Sequence, residues 1–264
     1  MTTPAPLGLQ RSFGRADVAL GSHGALVRLH QQGSAKAIPL PGGDVTFLNT
    51  SGGLAGGDSL DLSLSLAAGV RAAATTQTAE RVYRSTGPAA EVTVRLDLAA
   101  GAHLDWLPQE TILFDRCRLS RRTVVTLAEG AGCLLAETLV LGRAAMGERL
   151  RDLVLRDWRE VRQGGRVAWL DPLHIRSDAL HGPATLQGAR AISTVALIGA
   201  GVADALDPLR RVLDEPGARA AASVLPGRLL VRIMAADLLP LRRQLIRVLA
   251  ILRQGRPLPR VWQV

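Results

Sequence analysis

Leu64-Ser-Leu-Ala-Ala-Gly69 returns as Leu96-Asp-Leu-Ala-Ala-Gly101 and again as Val125-Thr-Leu-Ala-Glu-Gly130, at intervals of about thirty residues. The strand before each glycine has a period of two, as in Leu60, Leu62, Leu64 and Leu66 and then Val92, Val94, Leu96 and Leu98. One face of such a strand is apolar and the other polar. Each glycine turn leads into a second apolar strand. Self-similarity at this period points to stacked units, because a single hairpin cannot bury its own apolar face. The expected fold is mainly β, with strands helically wound or stacked into a β-solenoid-like body. Residues 1–264 are read as one domain, long enough to enclose a substantial core.

Downstream, Leu153–Arg162 and Arg166–Leu170 flank Gln163-Gly164-Gly165 and read as a hairpin. Beyond Pro172 the pattern weakens, and Gly182-Pro183 suggests an irregular connection before an apolar strand from Ile192 to Ile198. Two helices are expected toward the C-terminus. The first has Asp207 as N-cap and Pro208 at its first position, and it ends before Pro216-Gly217. The second runs from about Pro240 to Gln254 with Leu241, Leu245, Val248, Leu249 and Leu252 as its apolar stripe. Arg242, Arg243, Arg247 and Arg253 lie off that stripe and are candidates for docking a partner.

Composition narrows the function. Apolar residues make up 47% of the chain but aromatic ones only 3%, so Leu, Val, Ile and Ala must build the core. The net charge of +9 comes almost wholly from arginine, Lys36 being the single lysine. A basic β-repeat module for nucleic acid is the alternative to weigh. However, the arginines are spread from Arg11 to Arg260 with almost no aromatic platform among them, and an acidic protein partner fits better. Cys117 and Cys133 form no C-x-x-C pair and read as small buried hydrophobes. Met1 to Arg15 holds no continuous apolar core, and no uncharged apolar run reaches the roughly 18 residues of a membrane span, so a cytoplasmic protein is expected.

Enzyme motifs do not emerge. Asn49-Thr-Ser-Gly-Gly-Leu-Ala-Gly-Gly-Asp58 packs Gly52, Gly53, Gly56 and Gly57 into six residues, but it lacks the Gly-Lys-Ser/Thr end of a phosphate-binding loop and reads as a structural turn. There is no G-x-S-x-G. His23, His30, His103, His174 and His181 are scattered, so no tight metal site is expected. Carboxylates recur near strand ends at Asp58, Asp61, Glu80, Glu110, Asp115 and Glu137. A pair of them at the right separation would suit glycoside chemistry, although the chain is poor in the aromatic platforms sugars need; oxygen donors lining an interior would bind a divalent cation weakly enough to release it. Tyr83, the only tyrosine, stands in Glu80-Arg-Val-Tyr-Arg-Ser85 among these charges.

These stretches resemble the urease accessory protein UreD (UreH) family. The resemblance is carried by the glycine block 49–58, by Thr75-Thr-Gln-Thr-Ala-Glu-Arg-Val-Tyr-Arg-Ser85, and by Leu104-Asp-Trp-Leu-Pro-Gln-Glu-Thr-Ile-Leu-Phe-Asp115. Leu141-Gly-Arg-Ala-Ala-Met-Gly-Glu148 and the ending Leu258-Pro-Arg-Val-Trp262 also match. Arg116 stands where the family often has glycine, and 175–226 is less distinctive. The resemblance implies a helically wound β body with two helices and a non-enzymatic role. In that role the protein binds apo-urease, recruits a UreF-like protein and a UreG-like GTPase that supplies the nucleotide chemistry, and offers an internal route for transient Ni2+ without a tightly bound cofactor. Dimerisation within the accessory complex is left open. On that model Asp58, Asp61, Glu80, Tyr83, Glu110 and Glu137 are the candidates for lining the route, and the UreF-like protein is the candidate partner for the C-terminal helix.

Overall fold

The computed structural model describes residues 10–143, 146–181 and 185–263, with the side chains of Ala179 and His181 also left aside. The connection read at Gly182-Pro183, most of the Met1–Arg15 segment, and Ala144 and Ala145 of the 141–148 block lie outside them. The described residues are mainly strand and fall into two sheets. The chain winds between them. β1 (Phe13–Leu20) and β2 (Leu26–Gly33) belong to the first sheet, and β3 (Ala35–Pro39) and β4 (Val45–Asn49) to the second. β5 (Ser59–Leu66) returns to the first, and β6 (Arg71–Thr76) with the short β7 (Glu80–Val82) crosses back. The same alternation repeats with β8 (Ala90–Leu98), then β9 (His103–Trp106) and β10 (Thr111–Leu113), then β11 (Arg118–Leu127) and β12 (Gly132–Leu141). β13 (Val154–Gln163) and β14 (Arg166–Arg176) complete the first sheet; β15 (Ala191–Ile198), β16 (Ala218–Leu225) and β17 (Arg228–Ala235) complete the second.

The repeat is therefore a solenoid coil, stacked in parallel register. Leu64 pairs with Leu96 and Leu96 with Val125, so the three copies lie directly over one another. The strands on either side of each glycine turn do not pair with each other. They stand in opposite sheets, and the turn is an arch between layers. Gly69, Gly101 and Gly130 all have φ near +70° (71°, 67° and 65°), and the Gly69 and Gly101 amides donate to Ala100 and Glu129 of the next arch at 2.9 Å. The inward leucines bury almost completely between the sheets, each adding roughly 1.5–3 kcal/mol of transfer free energy.

A second apolar core lies on the outer face of the second sheet, under α2 (Leu238–Leu252, following the short α1, Leu206–Arg210). β12 is buried on both faces: Cys133, Leu135 and Leu139 face the first sheet, and Leu134 and Ala136 face the helix core. This explains its nearly continuous apolar run.

Three boundaries differ from the sequence reading. α1 starts before Asp207, because a 3-10 turn over Val202–Ala205 runs into it and Ala205 takes the cap position, and it ends at Arg210. α2 starts at Leu238, capped by Asp237; Pro240 fits because first-turn residues have no intrahelical acceptor for their N–H. β14 continues through Pro172 to Arg176, which is tolerated because β14 is the edge of its sheet. No helix among the described residues is long and apolar enough to cross a membrane.

Candidate functional site

Inward strand positions that are leucine at the arch end of the sandwich become charged toward the other end. On β11 the inward series runs Leu119, Arg121, Thr123, Val125, Leu127, and on β13 it runs Leu155, Asp157, Arg159, Val161. Arg121 and Asp157 are register partners, and the guanidinium grips the Asp157 carboxylate with two hydrogen bonds of 2.9 and 2.7 Å. It also crosses to the second sheet, reaching Glu137 at 2.8 Å and the Thr111 hydroxyl at 3.2 Å. Trp106 donates its indole N–H to the other Glu137 oxygen at 3.0 Å. From Asp157 the chain of charges continues through Arg159 (3.4 Å) to Asp171 (3.2 Å) and back across to Arg232 (2.5 Å). Signs alternate along the series, as its buried members Glu137, Arg121, Asp157 and Arg159 require. Burial alone would lower the Arg121 pKa, but Asp157 and Glu137 more than offset it and the group is firmly cationic. Burial likewise opposes ionisation of Asp157, and Arg121 holds its pKa below the usual value.

One cavity adjoins this cluster, and a second shares part of its wall. One, of about 50 Å³, is walled by Glu80, Gln109, Thr111, Arg121 and Glu137 among apolar neighbours. The other, of about 60 Å³, is walled by Asn49, Gly52, Gly53, Thr76, Glu80 and Arg81. Glu80 and Thr76 line both. Each has room for a few water molecules, at roughly 10–15 Å³ per water centre. Desolvation raises the Glu80 pKa to about 7, although Asn49 donates its amide to both carboxylate oxygens at 3.2 Å. Near neutrality this carboxyl can take up or release a proton. The Gln109 side-chain nitrogen is buried without a hydrogen-bond partner among the described residues, while its oxygen accepts from Arg242 at 2.9 Å.

The structure divides the candidates for the route into two groups. Glu80 and Glu137 face the interior cavities. Glu110 stands beside them, its carbonyl accepting the Glu80 amide at 2.9 Å and its carboxylate 3.2 Å from Arg242. Asp58 is buried, but its oxygens accept the Ser12 and Ala55 amides at 2.7 Å and so fasten the glycine loop. Asp61 lies on the outward phase of β5, 3.9 Å from Arg95. Tyr83 is 36% exposed and donates its hydroxyl to the Gly52 carbonyl at 2.9 Å. Its ring packs on the glycine loop: a Cβ at Gly53 would come within 2.5 Å of Tyr83 Cε2, and one at Gly56 within 2.0 Å of Ser85 Oγ. Gly57 takes a φ of +88°, a conformation that favours glycine.

The helix arginines divide as well. Arg242 bridges inward to Gln109 and Glu110 and stacks over Trp262 at 4.9 Å. Arg243 and Arg247 lie on the surface, paired with Glu215 and with Asp214 and Glu215 respectively. Arg253 does not belong to that surface. Its side chain is 4% exposed and sits 3.2 Å from buried Asp105, which also contacts Arg256 and His103. This cluster locks the end of α2 to β9. No group of three or more His, Cys, Asp or Glu among the described residues is placed to hold a metal ion.

Arg121, Asp157 and Asp171 escaped the sequence reading. Parity gave a usable signal: Arg121 and Asp157 interrupt the inward phase of otherwise apolar strands.

A family model described as UreD urease accessory protein matches residues 12–263. The urease accessory protein UreD of Cereibacter sphaeroides is 53% identical over 273 residues, covering 99% of this chain and 98% of that protein. That of Paracoccus denitrificans is 53% identical over 267 residues, with 98% and 95% covered. The one from Dinoroseobacter shibae is 47% identical over 266 residues, with 97% and 94% covered.

Proposed function

The chain belongs to the UreD family of urease accessory proteins, and on that premise we propose that it is a non-catalytic assembly factor of urease maturation that passes Ni2+ between its two sheets. In this reading it binds apo-urease and acts with a UreF-like protein and a UreG-like GTPase, the latter supplying the nucleotide chemistry. The observation that carries the internal route is the pair of adjoining cavities, both lined by Glu80 and one of them also by Glu137. The donors there are oxygens, which hold a borderline cation such as Ni2+ less tightly than imidazole or thiolate would. A conduit needs such release.

Glu80 exchanges a proton for the passing cation, since its carboxyl titrates at about 7. Glu137 has its charge balanced by Arg121, so a cation reaching it competes with a guanidinium already in place. Arg242 links α2 to the cavity wall through Gln109 and Glu110, which gives a partner docked on the helix a path to the interior.

The test is nickel content per urease active site after co-expression with wild-type chain, Glu80→Gln or Glu137→Gln, with thermal melting as a folding check. Both variants are expected to fold and to lower nickel content several-fold. Full nickel loading by both would remove the internal route while leaving the family membership intact.

A further inference from the structure

The wall of the cavity at Gly52 and Gly53 has an outer side, and Tyr83 is packed against it. There Tyr83, Arg84, Phe114, Arg116 and Arg143, with Asp115 and Glu148, surround a shallow depression of about 460 Å³. Tyr83 meets Phe114 edge-on, with ring centroids 5.2 Å apart, and Arg143 lies over the Phe114 face at 4.4 Å. The Arg84 and Arg116 backbones are neighbours, Ser85 donating its amide to the Arg116 carbonyl at 3.0 Å.

Charge in this rim is unbalanced. Glu148 is taken up by Arg143 and by the Asp115 amide. Asp115 accepts the Arg151 and Asp152 amides at 2.6 and 3.2 Å and is 3.9 Å from Arg116. Arg84 is exposed, and among the described residues it has no ion pair within 4.0 Å. Arg116 is also exposed, and it holds φ at +63°, a conformation that side chains with a Cβ rarely take.

We propose that this arginine and aromatic rim is the seat for an acidic segment of a protein partner, docked over the outer wall of the interior cavity. Exposed guanidinium groups around two rings suit carboxylates: arginine offers them paired donors, and the aromatic faces contribute contact area at low entropic cost. Assigning the segment to apo-urease rests on the function proposed above, because a partner seated there lies against the wall formed by Gly52 and Gly53.

The experiment measures binding of cognate apo-urease to the complete accessory complex carrying wild-type chain, Arg116→Gly or Arg84→Glu. Arg116→Gly removes a charge while giving the backbone the residue its φ favours, and an unchanged melting temperature separates weakened binding from misfolding. It is expected to raise Kd by about threefold, Arg84→Glu by about tenfold or more, and added salt should weaken the wild-type complex. Wild-type affinity in both variants would overturn the rim assignment and leave the urease role standing. Failure of the wild-type complex itself to bind apo-urease would overturn the functional reading, and this partner with it. Displacement of bound apo-urease by duplex DNA at physiological salt would reassign the rim to nucleic acid and overturn the proposal as well.

Discussion

The same strands build two different interiors. At the arch end Leu64, Leu66, Leu96, Leu98, Val125 and Leu127 close the space between the sheets as a dry stack. A few residues away, Arg121, Glu137, Asp157 and Arg159 occupy the equivalent inward positions, and a cavity opens beside Arg121 and Glu137. Hydrophobic burial needs no particular partner, so the arch end specifies the fold from repetition alone. The charged end gains little net stability over well-packed apolar residues.

Removing one charge makes this difference sharpest. Arg121→Met leaves Glu137 and Asp157 without their shared cation and is expected to destabilise the chain by about 3–5 kcal/mol in urea unfolding. Leu96→Ala, in the dry half, is expected to lower stability by about 3 kcal/mol through its cavity, with nickel delivery per folded complex unchanged. If Leu96→Ala impaired delivery as strongly as stability, the two halves would not be functionally distinct.

The polar half should also respond to pH. Glu80 binds its proton more tightly in the folded chain, with a pKa of about 7 against the ordinary 4.5. Its contribution to stability is therefore complete below about pH 4.5 and is lost as pH rises through about 7. The difference of about 2.5 pH units corresponds to roughly 3 kcal/mol. Glu80→Gln should match the wild type at pH 4 and exceed its stability by up to about 3 kcal/mol at pH 8. Parallel stability curves for the two proteins would mean that Glu80 is not desolvated as the cavity walls imply.

What the sequence made legible follows the same division. The coils, their register and the stripe of α2 come from periodicity, which repeats and so can be recognised. The candidate site was only half legible. Asp61 shares a strand with Leu60 and Leu62 and falls on the opposite phase, so parity alone excludes it from the interior. Arg121 and Asp157 fall on the inward phase, but their pairing depends on β11 and β13 lying side by side in register, a contact spanning 36 residues. Arg253 looked like a surface residue on the helix because its partner, Asp105, lies on β9 and is brought close only by the docking of α2.

Glycine substitutions give the smallest effects and separate two reasons for the same residue. At Gly101 the requirement is conformational. φ is +67°, and an added Cβ would meet nothing closer than the Gly69 Cα at 4.0 Å, so Gly101→Ala should lower stability by only about 1 kcal/mol. At Gly53 the requirement is also steric, since the added Cβ would lie 2.5 Å from the Tyr83 ring and 2.7 Å from the Arg81 carbonyl. The backbone there cannot yield without moving β7 and the Glu80 it carries, so Gly53→Ala should cost about 2 kcal/mol or more and shift the environment of the single tyrosine. NMR of the ring of Tyr83 reads that shift directly. An unchanged tyrosine signal in Gly53→Ala, with a loss no greater than in Gly101→Ala, would mean that the cavity wall is pliable and that the arches and the glycine loop obey the same rule.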